Sequence, residues 1–288
     1  MRMLRLLAPL AVPTLALSLF AQAPRVSEMA LTSPDGFALK GTLTLPVAKG
    51  KVPVVILAHQ FHSDHTGWLL LPEGLLSRGI GVLALDLRGH GASTMKGGTP
   101  VKVSDDFKAS ATAVGFDKIP DDLIQAAAWV RKQPQVDGRR IGLAGSSLGG
   151  LSVLLAAPDV KPVAILSLSP AGTGAFGDGA REKLKGAQLR GRASTLVLAS
   201  TGDKDAFENA QALKDLPGVA LNIKEGDEHG FAYLKERTDL MAIFFGEYLT
   251  YHRTGKTYAA TTANKSATTG NAITDQTLAA KKATDAPK

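Results

Sequence analysis

Two kinds of hydrophobic pattern run along this chain. From Ser27 to Pro46, SEMALTSPDGFALKGTLTLP, polar and apolar positions alternate on both sides of Pro34-Asp35-Gly36. Alternation across a turn signature predicts an antiparallel hairpin at a sheet edge. The later runs VPVVILAH, IGVLALDL, RRIGLAGS and ASTLVLAS are nearly continuous aliphatic segments bounded by glycine or charge, and KPVAILSLS and VALNIKE extend the series. Strands buried on both faces have that character. Helical stretches lie between them, among them DDLIQAAAWVRKQ, with Asp121 and Asp122 suited to its first turn, and ERTDLMAIFFGEYLTYH. The expectation is an α/β fold: a mostly parallel central sheet with an N-terminal antiparallel hairpin and helices on both faces.

Composition refines this at the ends of the chain. The 288 residues are 44% hydrophobic, ample for a core, and the unbroken strand and helix signals favour one domain over two. Residues 1–23 open with Arg2 and Arg5, continue as LLAPLAVPTLALSLF and close in Ala21-Gln22-Ala23. Basic, apolar and small residues in that order read as an export signal, removed to leave a periplasmic or secreted protein. An uncleaved anchor is the alternative: Pro24 disfavours the cut, and Pro13 disfavours a spanning helix. Of the net charge of +7, Arg2 and Arg5 carry +2, and residues 251–288 carry +4, with six Lys or Arg against Asp275 and Asp285. The remainder is nearly neutral at +1, which excludes a nucleic-acid partner as the reason for the basic charge. Residues 252–288, rich in Ala, Thr and Lys without an apolar period, read as a disordered tail. The domain proper is therefore 24–251, with no stable membrane insertion expected once the signal is gone. The absence of cysteine excludes disulfides, thiol catalysis and a lipidated N-terminal cysteine.

Directly after RRIGLA comes GSSLGGLSVLLAA, in which Gly145, Ser147 and Gly149 form G-x-S-x-G at a strand-to-helix junction. A hydroxyl on such a turn projects above the sheet, and glycines on either side let strand and helix approach closely. Ser146, the neighbouring hydroxyl, is out of the motif. A serine nucleophile needs a base, and the base needs a group that fixes its tautomer. His229, in GDEHGF, is the only histidine between Ser147 and the tail; Asp203 and Asp205, in TGDKD after ASTLVLAS, are both placed to serve as the acid.

The order HQF, DLRGHGAS, GSSLGG, GDKD, EHGF over residues 27–250 resembles the α/β-hydrolase superfamily, and within it the dienelactone hydrolase-like proteins and small serine esterases. The resemblance implies a triad of Ser147, Asp205 and His229, because the acid in that family usually lies three residues after a strand-terminal glycine and Gly202-x-x-Asp205 fits. It also implies an oxyanion hole made by the backbone N–H of Leu148 and of Phe61. Gln60 stands where the family commonly has glycine, and its N–H is the fallback donor.

The stretch AHQFHSDHTGW, residues 58–68, holds three of the six histidines. His59, His62, Asp64 and His65 are similar to a dinuclear zinc signature but carry one residue too many after His59, and metal–ligand geometry tolerates little error. The family reading makes His59 structural and leaves His62, Asp64 and His65 on the loop near the pocket rim, either touching substrate or facing solvent, with Trp68 at the rim over the pocket or packed as core under the next helix. The expected activity is cleavage of small-molecule or polymer-attached carboxylic esters through an acyl-enzyme, with no cofactor required. A peptidase or amidase of the same fold, a metallohydrolase using the His59–His65 cluster and a non-catalytic binding protein are the alternatives. The segment between LSLSP and ASTLVLAS is too short for a large cap, which leaves Ser93–Pro120 to cover part of the pocket.

Overall fold

The computed structural model describes residues 23–251; the apolar stretch read as an export signal and the tail read as disordered lie outside them. Strands β1 (Arg25–Thr32) and β2 (Phe37–Leu45) form the expected hairpin, in register from Arg25 with Leu45 to Thr32 with Ala38. Next come β3 (Val52–Ala58), β4 (Gly81–Asp86), the two-residue pair β5 (Met95–Lys96) and β6 (Thr99–Pro100), β7 (Val136–Ser146), β8 (Ala164–Leu168), β9 (Ser194–Ser200) and β10 (Val219–Lys224). The sheet order is β10-β9-β8-β7-β3-β4-β2-β5-β6, with β1 on β2. From β10 to β4 every neighbouring pair is parallel, and β2 joins β4 antiparallel.

Each run predicted as a strand is one; β3, β4 and β8 are buried on both faces as their patterns suggest, whereas β10, at the sheet edge, is only half-buried. On β3, Val54, Ile56 and Ala58 enter one core while Val55 and Leu57 enter the other, so no polar position can be tolerated. Helices α3 (Ile119–Arg131), α4 (Leu148–Val160), α5 (Ala180–Arg190) and α6 (Lys204–Ala212) contribute to the first core; α1 (Leu71–Leu76) and α7 (Leu234–Gly246) contribute to the second. The short α2 (Phe107–Ser110) lies in the excursion between β4 and α3. No described helix is long and apolar enough to cross a membrane.

This architecture brings the carboxyl ends of β3, β7, β9 and β10 together at one edge of the sheet, where parallel α/β folds gather their functional loops.

Candidate active site

Strand β7 runs directly into α4 through Ser147, whose φ of 53° and ψ of −114° are unusual for a residue with a side chain. The Ser147 N–H bonds to the Leu168 carbonyl at 2.8 Å and its own carbonyl accepts from Leu151 and Ala171, so the turn is held from both neighbouring elements. Strain of this kind persists only where the surroundings over-determine it. The first turn of α4 lies against the end of β3: a Cβ on Gly149 would stand 2.1 Å from the Ala58 carbonyl oxygen. Only glycine fits there, and the fit sets the elbow beside the loop of His59, Gln60 and Phe61.

His229, five residues past β10, places Nε2 2.7 Å from Ser147 Oγ and Nδ1 2.7 Å from an Asp203 carboxylate oxygen. A carboxylate only accepts, so Nδ1 carries the proton and, in the neutral ring, Nε2 is left to accept from the Ser147 hydroxyl. The loops that carry the two partners are tied together by backbone bonds, Thr201 N–H to Lys224 at 3.0 Å and Gly202 N–H to Gly226 at 2.7 Å. A hydroxyl, an imidazole and a carboxylate so linked can activate the hydroxyl as a nucleophile.

The expected acid, Asp205, is elsewhere. Its carboxylate accepts from the Gly172 and Thr173 N–H groups, from Thr173 Oγ1 and from Arg181. Asp203 precedes α6 and Asp205 sits in its first turn. Asp203 has a non-helical backbone, with ψ of 77°, while Asp205 follows the turn of the helix, so the two carboxylates leave the chain in different directions and one meets His229, the other the 172–174 loop. The spacing rule counted from Gly202; the residue that lies three after the end of β9, at Ser200, is Asp203.

An open cleft of about 580 Å³ lies over Ser147 and His229, lined by Gln60, Phe61, Phe107 and the Gly172–Gly174 loop with Asp205. Phe107, from the Ser93–Pro120 excursion, packs edge-on against Phe61 with ring centroids 5.2 Å apart. Among the described residues the N–H groups of Phe61 and Leu148 have no hydrogen-bond partner.

The sequence profile of the α/β hydrolase family matches residues 55–279. The chain belongs to the α/β hydrolase family. It is 32% identical over 148 residues to Thiohydrolase aneE of Aspergillus aculeatus, across 50% of this chain and 41% of that protein. It is also 32% identical over 126 residues to a 31.7 kDa protein of the traX-finO intergenic region of Escherichia coli, across 43% of this chain and 38% of that one. The chain thus spans about two fifths of the length of these curated relatives. The dienelactone hydrolase of Anabaena variabilis superposes with a TM-score of 0.59 at 22% identity, over 78% of this chain and 99% of that one. Acetyl xylan esterase from Paenibacillus sp. R4 gives 0.61 at 18% identity, over 81% and 86%. At such identities the likeness is one of fold; family membership supports hydrolytic activity.

His62, His65 and Trp68, the residues weighed for the pocket rim, are not among those that line the cleft. Trp68 is fully buried in the core beside Phe231, ring centroids 4.9 Å apart. His65 is bound through its N–H and Nδ1 to Asp86, and His62 lies against the Phe61 ring. Nor does the zinc-like set converge. His59 is buried, donating from Nδ1 to the Gln60 carbonyl at 2.7 Å and accepting at Nε2 from Leu87 N–H at 3.0 Å. The acidic and imidazole groups that do come together are Asp64, His65 and Asp86, with ligand atoms within 4.8 Å of one another.

His59 is a structural strut with a measurable signature. Burial, with His90 beside it, pushes its pKa down to about 4. The folded ring stays neutral while the unfolded one protonates near the ordinary value of ~6.5. The unfolded state therefore binds the extra proton, and between about pH 6.5 and 4 the protein is expected to lose roughly 2–3 kcal/mol of stability through this group. Urea unfolding at pH 7 and pH 4.5 measures the loss, and His59→Gln should flatten it; an unchanged pH slope in that variant would reject the assignment.

Proposed function

We propose that this protein hydrolyses carboxylic esters through an acyl-enzyme, with Ser147 as nucleophile, His229 as base and Asp203 as the acid that orients it. The observation that carries the reading is the unbroken chain of 2.7 Å contacts from Ser147 Oγ through His229 to Asp203. In this scheme Ser147 Oγ attacks the ester carbonyl as its proton passes to His229 Nε2, and Asp203 stabilises the imidazolium. Negative charge gathers on the carbonyl oxygen, and the unpaired N–H groups of Leu148 and Phe61 are the donors proposed to meet it. The imidazolium protonates the departing alkoxide; a water then gives its proton to His229 as it attacks the acyl-enzyme, and His229 passes that proton to Ser147 Oγ as the bond to the acyl carbon breaks and the acid is freed.

The cleft over Ser147 is open, and Phe61 and Phe107 in its lining offer apolar contact to an acetyl or aromatic acyl group. The acetyl xylan esterase fold neighbours and Est1E of Butyrivibrio proteoclasticus, solved with ferulic acid, make acetyl and aryl esters reasonable first substrates. A fluorophosphonate probe tests the reading directly. It should label the native protein at Ser147, located by peptide mass, and suppress p-nitrophenyl acetate hydrolysis in step, with chelator having no effect. Hydrolysis that survives full labelling, or is abolished by EDTA, would assign the activity to another centre.

A further inference from the structure

Gln60 occupies the position where the resembled family has glycine, and its side chain is committed. Its Oε1 accepts from Ser146 Oγ at 3.0 Å and from the Phe231 N–H at 2.9 Å. The backbone donor fixes the amide orientation, since only the oxygen can receive it. Three segments meet at this atom: the loop after β3, the residue before the nucleophile and the loop carrying His229. They meet with no room to spare. Gly230, at φ 53°, would place a Cβ 2.2 Å from Gln60 Oε1 and 2.7 Å from Ser146 Oγ. The Gly230 N–H is itself held by Ser169 Oγ at 2.9 Å, so the residue after His229 is fastened on one side and walled in on the other.

We propose that Gln60 is a positioning residue: its side-chain carbonyl fastens the His229 loop, through Phe231 N–H, to the elbow, through Ser146 Oγ–H, and so keeps His229 Nε2 on Ser147. A glycine here cannot make this bridge. Gln60 keeps a negative φ, so the larger residue fits this backbone without strain, while its carbonyl receives His59 Nδ1 and the Ser63 N–H. The oxyanion loop and the base loop are thereby one mechanical unit. The catalytic consequence rests on the ester hydrolase reading; the clamp itself does not.

Amide hydrogen exchange and kinetics on the same variants separate the two. In Gln60→Met, which keeps the length and loses the acceptor, the Phe231 amide should exchange about tenfold faster or more, with amides of β3 and β7 unchanged. Gln60→Glu, which restores the acceptor, should bring Phe231 exchange back to within about threefold of wild type. For p-nitrophenyl acetate, Gln60→Met should lower kcat by about 10–100-fold with KM nearly constant and the unfolding midpoint retained, since the geometry between base and nucleophile is what suffers. Unchanged Phe231 exchange in Gln60→Met, or faster exchange with kcat kept, overturns the proposal, as does a kcat loss that only follows a fall in the unfolding midpoint. Should the wild type neither hydrolyse the ester nor take the probe, the functional reading fails and the exchange data alone decide the clamp.

Discussion

Asp203→Asn is expected to lower kcat/KM for p-nitrophenyl acetate by about 10³–10⁴-fold, the scale seen when a triad acid loses its charge and its histidine takes the wrong tautomer. An amide at position 203 can present Nδ2–H to His229 Nδ1, which turns the ring into an Nε2–H donor facing the Ser147 hydroxyl. The base is then lost although the geometry is intact. Asp205→Asn should act differently. Its carboxylate gathers the Gly172 and Thr173 N–H groups, which lie on the cleft wall, together with Arg181 of α5, and none of these is on His229. Loosening that wall weakens substrate binding more than chemistry, so the expected change is within about tenfold and mostly in KM. Fluorophosphonate labelling rates should follow the same order, since they too require the base. A large kcat loss in Asp205→Asn with Asp203→Asn near wild type would return the acid to Asp205.

The contrast between these two aspartates shows what the sequence could and could not convey. Strands buried on both faces leave no freedom in residue type, so β3, β4, β7, β8 and β9 were legible as aliphatic runs, and the elbow was legible because close packing demands glycines at fixed spacing around Ser147. The choice between Asp203 and Asp205 depends on where α6 begins, a boundary that shifts by a residue without any change of composition. The alternatives open for Trp68 and His65 could not be decided from the sequence for a related reason. Their loop reads as polar and histidine-rich, but its direction is set by Asp86, 21 residues on, which pins the backbone and ring of His65 while Trp68 turns into the core. Gln60 was visible as a departure from the resembled pattern; its partners, Ser146 and Phe231, lie 86 and 171 residues away, and no local signal joins them.

Arg88→Met is expected to destabilise the protein by about 3–5 kcal/mol, because it strips the counter-charge from a buried carboxylate. Arg88 is itself buried; it donates from Nε and Nη2 to both Asp122 oxygens at 2.6 and 2.7 Å, and to both Asp35 oxygens at 3.0 and 3.1 Å, with its guanidinium 4.9 Å over the Phe37 ring. One side chain thus joins the turn of the N-terminal hairpin, the loop after β4 and the start of α3. Asp122 lies in the first turn of α3, as read from sequence, and is also buried against Arg88. Burial raises its pKa, and the Arg88 bonds offset that only in part, so Asp122 bears the desolvation and depends on its partner. Asp35 behaves differently: burial acts to raise its pKa, but Ser33, Arg88 and Lys96 outweigh this and hold it well below the ordinary carboxylate range. Half-exposed, with Ser33 Oγ at 2.7 Å and Lys96 at 3.2 Å, it can lose Arg88 without being left alone. The penalty of Arg88→Met should therefore reside in Asp122, and Arg88→Met/Asp122→Leu should recover most of it, since replacing a whole buried pair by apolar side chains is far cheaper than orphaning one member. Urea unfolding of the two single variants and the double closes the cycle; a double variant no more stable than Arg88→Met would locate the cost elsewhere. The same loop carries Leu87, whose N–H meets His59 Nε2, and His59 in turn holds the Gln60 carbonyl. Loss of the pair should thus lower activity at temperatures below the unfolding midpoint, by freeing the strut under the oxyanion loop before the sheet itself gives way.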